Sequence, residues 1–562
     1  MAPSLFELSP MRFHPPSLLS TLAVCALVAA CGGRSSDPVA TPSSTLIPVP
    51  DPTVACSILR VTPDNAIKQT FVDPLMTIVY AAPSAGACGD LTLQDSSRSA
   101  VAATVVASSE WPNPQGGYIG TRTIEAAAAL NPAAIYSLRW NDKTISTFKT
   151  GTERRGAVVS VTEQALQLPS LPDAAHLGQG DINDVLDSLA ELMAKGNDIK
   201  KALFATVLRH ELPNIARPDA RFGASIGKLA YRSADARGNP VTLSALLIAP
   251  EQSPGGTPVE FNGMPIVVGQ RGSTDNNSDA PSSGATTMAI PGLIAAGKGQ
   301  VFVAPDLIGL GDSKALPQAY LVAADTAGQT QDLLRAVRAH FQEQYRSTLG
   351  MDLRLFGGSQ GAHSTIASLP YLAREGTVRV VSASQGPYDV YRTFHGALLA
   401  LGGAARDAYA INENLDFLPG RTRDVMTSFQ AYGNYAFDAK TVFDADGKIL
   451  PSFLADYKDG KVKDFVRQLG ANSLVTGSQV YDLPQAQVQL YHFSADTLVP
   501  AQNTVDMLAA LADRKHRFAS IQRGNCHENS ELVKLIVRLS KSSTTTHTIC
   551  VAFQIDDFVG GL

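Results

Sequence analysis

Between Leu353 and Arg374 the chain reads LRLFGGSQGAHSTIASLPYLAR: an apolar strand-like run, a Gly-x-Ser-x-Gly turn, then a helix-compatible stretch. Small residues at 357 and 361 let the backbone turn sharply without a Cβ clash, so Ser359 is expected to stand out above the sheet, with a helix amino terminus behind it that favours developing negative charge. The chain after about residue 222 fits such a turn. It alternates helical stretches with apolar runs: LSALLIAP (243–250), PIVVG (265–269), QVFVAPD (300–306), TVRVVSAS (377–384), QVQLYHFSAD (487–496) and HRFASIQRG (516–524). Continuous apolar strands between helices predict an α/β fold with a mostly parallel sheet covered on both faces, and chemistry at the carboxyl ends of its strands. From about 385 to 486 the strand rhythm lapses, too long for an ordinary loop, and this predicts a helical cap.

A serine hydroxyl is a weak nucleophile near neutral pH, so Ser359 needs a histidine base and a carboxylate to fix that histidine's tautomer, in the chain order Ser, Asp or Glu, His. His363 lies on the helix behind the serine and reads as packing; His395 falls in the cap, His492 inside a strand, and His516 at the start of the last strand. His547 sits in a Ser/Thr-rich tail, which leaves His527, in the turn RGNCHENS after the final strand. Asp496 follows the strand QVQLYHF, whereas Asp482 precedes it and falls at the wrong edge. Singly, the aspartate could be a turn cap and the histidine a surface group; at three successive strand ends they read together as a triad of Ser359, Asp496 and His527. The N–H of Gln360 is the expected first oxyanion donor.

With these residues in view, 222–562 resembles the α/β-hydrolase superfamily, in particular its secreted bacterial lipase- and esterase-like members. VFVAPDLIGLGDS (301–313) is similar to the family's V-x-x-x-D-x-x-G-x-G-x-S segment, and SASQGPYDV (382–390) to the stretch leading into the cap. The resemblance covers about three fifths of the chain and implies that Asp306 and Asp312 are structural. Related hydrolases show His-Gly-x in the loop after the strand 265–268; here the loop reads Gly269-Gln270-Arg271-Gly272-Ser273-Thr274, so Ser273 is implied as the second oxyanion donor, with Arg271 and Gly272 as competitors. The implied function is a serine carboxylic ester hydrolase working through an acyl-enzyme, with no cofactor and no metal. Its substrate would be a small-molecule, lipid or polyester ester, with Phe394, Leu398, Leu399, Tyr409, Phe417, Phe429 and Tyr432 available either to an apolar acyl pocket or to the cap's own core. A serine peptidase of the same fold is the alternative. Prolyl oligopeptidase-like peptidases carry a propeller that no segment here is large enough to form. Tannase-like esterases place cysteines before both nucleophile and histidine, whereas here Cys526 precedes His527 but Gly358 precedes Ser359.

Residues 52–151 give short β-type runs between turn residues, the spacing of a small all-β sandwich. The opening VTPDNA and the closing FKTG resemble bacterial Ig-like modules, which implies a spacer or binding platform, and leaves a non-catalytic surface binding lipoprotein as a third reading. Residues 152–221 read as a connector with a helix from about Ile182, where Val185, Leu186, Leu189, Leu192 and Met193 form an apolar face behind an Asp181 cap.

At the amino terminus, Arg12 and His14 precede an uncharged run, Leu18 to Ala30, of 13 residues, shorter than the roughly 20 needed to span a bilayer. It reads as a signal peptide (1–30), with Met11 as an alternative start. LVAAC (27–31) resembles the bacterial lipobox, which implies lipidation of Cys31, and 31–51 has the Gly, Ser, Thr and Pro content of a tether. The protein is therefore expected at the cell envelope or outside the cell, on a membrane only through its anchor. Beyond Cys25 in the signal and Cys31, four cysteines remain, and pairing within domains gives Cys56–Cys88 and Cys526–Cys550. With 46 Lys+Arg against 51 Asp+Glu there is no basic field to attract a nucleic acid. Asp444-Ala-Asp-Gly lacks the remaining ligands of a calcium loop, and no nucleotide glycine fingerprint occurs.

Overall fold

The computed structural model describes residues 53–168, 171–172, 175–185, 205–206, 208–251, 259–409, 418–476, 478–539 and 544–562. The signal run, Cys31, the tether, Phe417 and the connector positions Leu186, Leu189, Leu192 and Met193 lie outside them. Among the described residues no helix is long and apolar enough to cross a membrane.

Two four-stranded antiparallel sheets form a β-sandwich. One has the order β1 (Ser57–Thr62), β2 (Leu75–Ala82), β6 (Tyr118–Ala126), β5 (Ala103–Pro112); the other β4 (Ala100–Val101), β3 (Leu91–Asp95), β7 (Ile135–Trp140), β8 (Lys143–Lys149). β6, YIGTRTIEA, has no long apolar run, and its pairing with β2 and β5 makes it a central strand. The Cys56–Cys88 disulfide lies in this module.

After β9 (Val158–Glu163), the small hairpin β10 (Gln167–Leu168) and β11 (Leu171–Pro172), and β12 (His176–Leu177), the chain builds its large sheet from β13 (Gly223–Ala234), β14 (Pro240–Glu251), β15 (Ile266–Gln270), β16 (Val301–Pro305), β17 (Asp352–Gly358), β18 (Thr377–Ser384), β19 (Asp482–Tyr491) and β20 (Arg517–Arg523). The order is β12-β13-β14-β16-β15-β17-β18-β19-β20, with β9 also on β13. The six strands from β16 to β20 run parallel, while β14, β13, β12 and β9 make an antiparallel flank on one side of them. LSALLIAP is thus not a parallel strand: a tight turn at Asp235–Asn239, with Gly238 at φ +91°, returns β14 directly along β13. Asp181 falls within the first turn of a short helix, Gln179–Asn183, and accepts from the Gly178 N–H at 2.8 Å instead of occupying the cap position.

Alternate strand residues face opposite layers, as period-2 side chains must. Leu247, Val268, Val303 and Leu355 join the core beneath α2 (Ala323–Tyr345) and α3 (Gln360–Leu372). Ile248, Val267, Phe302 and Phe356 join a second core beneath α1 (Thr286–Gly297), α9 (Glu531–Leu539) and α10 (Thr545–Gly560). Between β18 and β19 the cap contributes α4 (Val390–Leu401), α5 (Leu418–Tyr432), α6 (Pro451–Lys458) and α7 (Lys463–Ala471); α8 (Gln502–Leu511) then joins β19 to β20.

The sandwich is packed onto this body. Trp111 of β5 lies edge-on to Tyr391 of α4 at 4.9 Å and over Gly470 of α7, where a Cβ would run into the indole. Buried Arg155 bridges Glu125 of β6 (2.6 Å) and Asp332 of α2 (2.9 Å). Burial still pushes the Asp332 carboxyl up to about 6, with Arg155 opposing the rise.

Candidate active site

β17 ends at Gly358 and α3 begins at Gln360, so Ser359 is the entire turn between them, at φ +57° and ψ −123°. A non-glycine residue in that region costs on the order of 1–3 kcal/mol and survives only where its surroundings hold it. They do: the Ser359 N–H donates to the Ser384 carbonyl at 2.8 Å, and Gly361 sits against the Gln270 and Arg271 carbonyls where no side chain would fit. Gly272 lies across from the serine; a Cβ there would stand 3.9 Å from that of Ser359.

Asp496, in the loop after β19, is buried. Its Oδ1 accepts from the Leu498 N–H at 2.7 Å and the Val499 N–H at 3.2 Å, which fixes the carboxylate plane. Its Oδ2 lies 2.7 Å from Nδ1 of His547, not of His527. His547 is in the first turn of α10, and it lines the same cavity as Ser359. With Nδ1 committed to the carboxylate, Nε2 is the nitrogen left to exchange a proton with a substrate or nucleophile. The turn is held to the sheet edge: Thr546 donates to the Ala495 carbonyl at 3.0 Å, and Gln385 Nε2 to the His547 carbonyl at 2.6 Å. Gln385 also accepts from the Phe493 N–H at 3.0 Å, so one amide ties the ends of β18, β19 and α10 together.

His527 is elsewhere. Its ring stacks on Phe553 at 4.3 Å, its Nδ1 is 3.7 Å from Glu211, its side chain is 37% exposed, and it is not among the residues around the cavity. Asp496 is thus paired with His547, where the order of strand ends along the chain predicts His527. The strand end was right, but the chain leaves it outward. The disulfide Cys526–Cys550 then joins that outgoing loop to α10 three residues beyond His547. The Ser/Thr tract that suggested a loose tail leads into a helix whose Ile549, Cys550, Phe553 and Phe558 are buried; that apolar spacing was the available signal. Gln385, at φ +53°, had no signal of its own.

The remaining candidates sort by environment. His363 is fully buried and donates through Nε2 to the Asn472 carbonyl at 2.9 Å, and burial takes its pKa down to about 4. His492 is likewise buried, just past β19, with its pKa down to about 4 from burial and then Arg523. Asp482 starts β19, at the opposite edge, and pairs with Arg517. Asp306, fully buried, holds Ser244 and the Ser282 N–H, while Asp312 pairs with Lys228. Asp444 Oδ1 accepts from the Asp446 and Lys448 N–H groups at 2.9 and 2.8 Å, a turn cap, and Glu528 pairs with Arg523. Among the described residues no group of three His, Cys, Asp or Glu is arranged to hold a metal ion.

The cavity is about 270 Å³. Gln270 to Thr274 form one rim; Arg271 is buried, donates to the Asp306 and Gly272 carbonyls at 3.3 and 2.8 Å, and has its pKa lowered to about 10 by burial. It braces the loop where the family pattern has a histidine. Ser273 Oγ donates to the Tyr320 hydroxyl at 3.2 Å. Of the cap residues, Phe394 and Tyr409 reach the cavity, whereas Leu398, Phe429 and Tyr432 are buried within the cap and its floor.

A six-stranded parallel run with an antiparallel edge, flanked by helices and carrying a serine on a strand-to-helix turn, matches the α/β-hydrolase fold. No family model and no curated protein matches the chain. Among solved structures it is similar to the rice cell wall degrading esterase LipA from Xanthomonas oryzae, at 18% identity and TM-score 0.48, covering 69% of this chain and 96% of that one. It is also similar to Candida antarctica lipase A, at 11% identity and TM-score 0.38, covering 66% and 77%.

Proposed function

We propose that this protein is a serine carboxylic ester hydrolase whose triad is Ser359, His547 and Asp496. The observation that carries the reading is the buried 2.7 Å pair of Asp496 with His547, which lines the same cavity as Ser359. In this reading His547 Nε2 takes the Ser359 proton as Oγ attacks the ester carbonyl. Charge moves to the carbonyl oxygen, which the Gln360 N–H and an N–H of the Arg271–Ser273 loop, Ser273 foremost, receive at the amino terminus of α3. Collapse expels the alcohol, protonated by the same nitrogen; water, deprotonated by His547, then releases the acid and restores Ser359. Asp496 keeps the imidazole in one tautomer and stabilises its charged form.

The apolar part of the cavity wall supports an ester over a peptide substrate, and peptidase action remains the second outcome of an assay. Export and a lipid anchor on Cys31 belong to the same proposal; two disulfides suit an oxidising compartment. The test is hydrolysis of p-nitrophenyl esters of increasing chain length by wild type, Ser359→Ala, His547→Ala and His527→Ala. Activity lost in the first two variants and kept in the third is expected. Activity that survives Ser359→Ala places the chemistry elsewhere.

A further inference from the structure

Domains joined in one chain move against each other by default unless the interface between them is large and apolar, and this sandwich has such an interface with the cap. Val79, Trp111 and Ile119 share a core with Phe429 of α5 and Phe465 and Leu469 of α7. Polar ties accompany the apolar contact: Arg60 Nη1 donates to the Tyr432 carbonyl at 2.6 Å, Asn434 Nδ2 to the Leu59 carbonyl at 3.1 Å, and the Ser108 N–H to Gln479 Oε1 at 3.2 Å. Trp111 is the largest side chain of the contact and is 2% exposed. Its indole fills the space that a side chain on Gly470 would need, with Cε3 2.1 Å from where that Cβ would stand. The ring it meets edge-on, Tyr391, stacks in turn on His395 at 4.8 Å, whose Nδ1 is 3.0 Å from the Tyr457 hydroxyl of α6.

α4 is thereby fixed on two sides. Its amino end is tied to α8, where the Asp389 N–H donates to Asn503 Oδ1 at 3.0 Å and Arg392 pairs with Asp506 at 2.9 Å; Tyr391 is where the sandwich grips it. The same helix puts Thr393, Phe394 and Ala397 on the cavity wall, and α5, held by Arg60 at its carboxyl end, puts Leu418 and Arg421 there. Trp111 itself does not line the cavity. A helix in a close-packed interior moves as a body and transmits strain, so what Trp111 does to Tyr391 reaches Phe394 and Ala397.

Resting on the ester hydrolase reading, we infer that the sandwich clamps the cap and that Trp111 is a positioning residue: it holds α4 so that Phe394 and Ala397 form a preset wall for the substrate, and the cap does not lift as a lid.

The experiment reads kcat and KM for 1-naphthyl decanoate, large on both sides of the ester, and ethyl acetate, small on both, so the result does not depend on which half meets the cap. Trp111→Ala is expected to raise KM for the naphthyl ester about tenfold, with kcat per active site (titrated with a phosphonate) and the KM of ethyl acetate both within about threefold of wild type. A contact that serves stability alone would lower the active fraction and leave both KM values unchanged. Trp111→Phe, which keeps a ring against Tyr391, is expected to recover most of the loss. Gly470→Ala, which drives the indole out from the other side, should imitate Trp111→Ala, and the double variant should be no worse than either. With glyceryl tributanoate the wild-type rate is expected to rise smoothly through the solubility limit; a severalfold jump there means that the cap lifts and overturns the inference, as does an unchanged naphthyl-ester KM in Trp111→Ala. Hydrogen exchange needs no substrate: α4 amides are expected to exchange about tenfold faster in Trp111→Ala, with those of α3 unchanged. If the wild type hydrolyses no ester, it is the ester reading that fails, and the exchange arm still decides the clamp, which equal α4 rates in wild type and variant would overturn.

Discussion

Two histidines twenty residues apart each stand near a carboxylate, and the two settings are opposites. His527 is part-exposed on a loop, 3.7 Å from Glu211 and flat against Phe553. His547 is buried at the start of a helix, 2.7 Å from an aspartate whose other oxygen is held by two backbone N–H groups. A base must keep one tautomer in one place, which takes a fixed partner and little water; the second setting supplies both and the first neither. The disulfide between Cys526 and Cys550 makes the two regions mechanically one, since it joins the residue before His527 to the helix that carries His547. The residue beside Cys526 in sequence lies off the cavity, whereas the helix across the bridge carries His547, Thr548 and Val551 onto its wall.

The comparison breaks outright if the histidines are exchanged in importance. His547→Ala is expected to lower kcat/KM for a p-nitrophenyl ester by about 10³-fold or more, while His527→Ala changes it less than about threefold; the reverse order in the same assay would return the base to the loop. Asp496→Asn should cost somewhat less, about 10²-fold, mostly in kcat, because the amide can hold the wrong tautomer without emptying the site. Removing the bridge as Cys526→Ser/Cys550→Ser should lower stability by about 3 kcal/mol in denaturant unfolding, given a 24-residue separation. If the bridge matters to the site as well, activity will fall in conditions where the variant is still folded by near-ultraviolet circular dichroism.

The smallest effect concerns a carboxylate with no histidine. Asp389, the amino-terminal cap of α4, is buried and accepts from the Arg392 N–H at 3.0 Å and Ser473 Oγ at 3.1 Å; burial raises its pKa from 3.8 to about 6. Between those values the folded protein holds a proton that the unfolded chain has released, so its contribution is present below pH 3.8 and lost as pH rises through about 6. Asp389→Asn keeps a capping oxygen and is expected to flatten that part of the stability curve. An unchanged slope in urea titrations across pH 4 to 6 would assign the dependence to another group, Asp332 first, since its carboxyl is also raised to about 6.

What could be read in the sequence was whatever local chemistry enforces. The Ser359 turn follows from glycines that only such a turn requires, Asp496 from its place at a strand end, and both disulfides from pairing within domains. The β13–β14 hairpin was less visible, because Gly223–Ala234 mixes polar and apolar residues where the buried strands are continuous.

The linear chain thus determined the Ser359 turn, the place of Asp496 at a strand end and the layered sheet that carries them. The partner of Asp496, the brace at Gln385 and the cavity that His547 and Ser359 both line were decided only in three dimensions. Strand ends are fixed by hydrogen bonds between neighbours in the sheet, whereas the helix that brings His547 back is placed by the burial of Ile549, Cys550, Phe553 and Phe558 against residues far away in the chain. That force has no direction along the sequence, and so the sequence alone does not say which histidine it delivers.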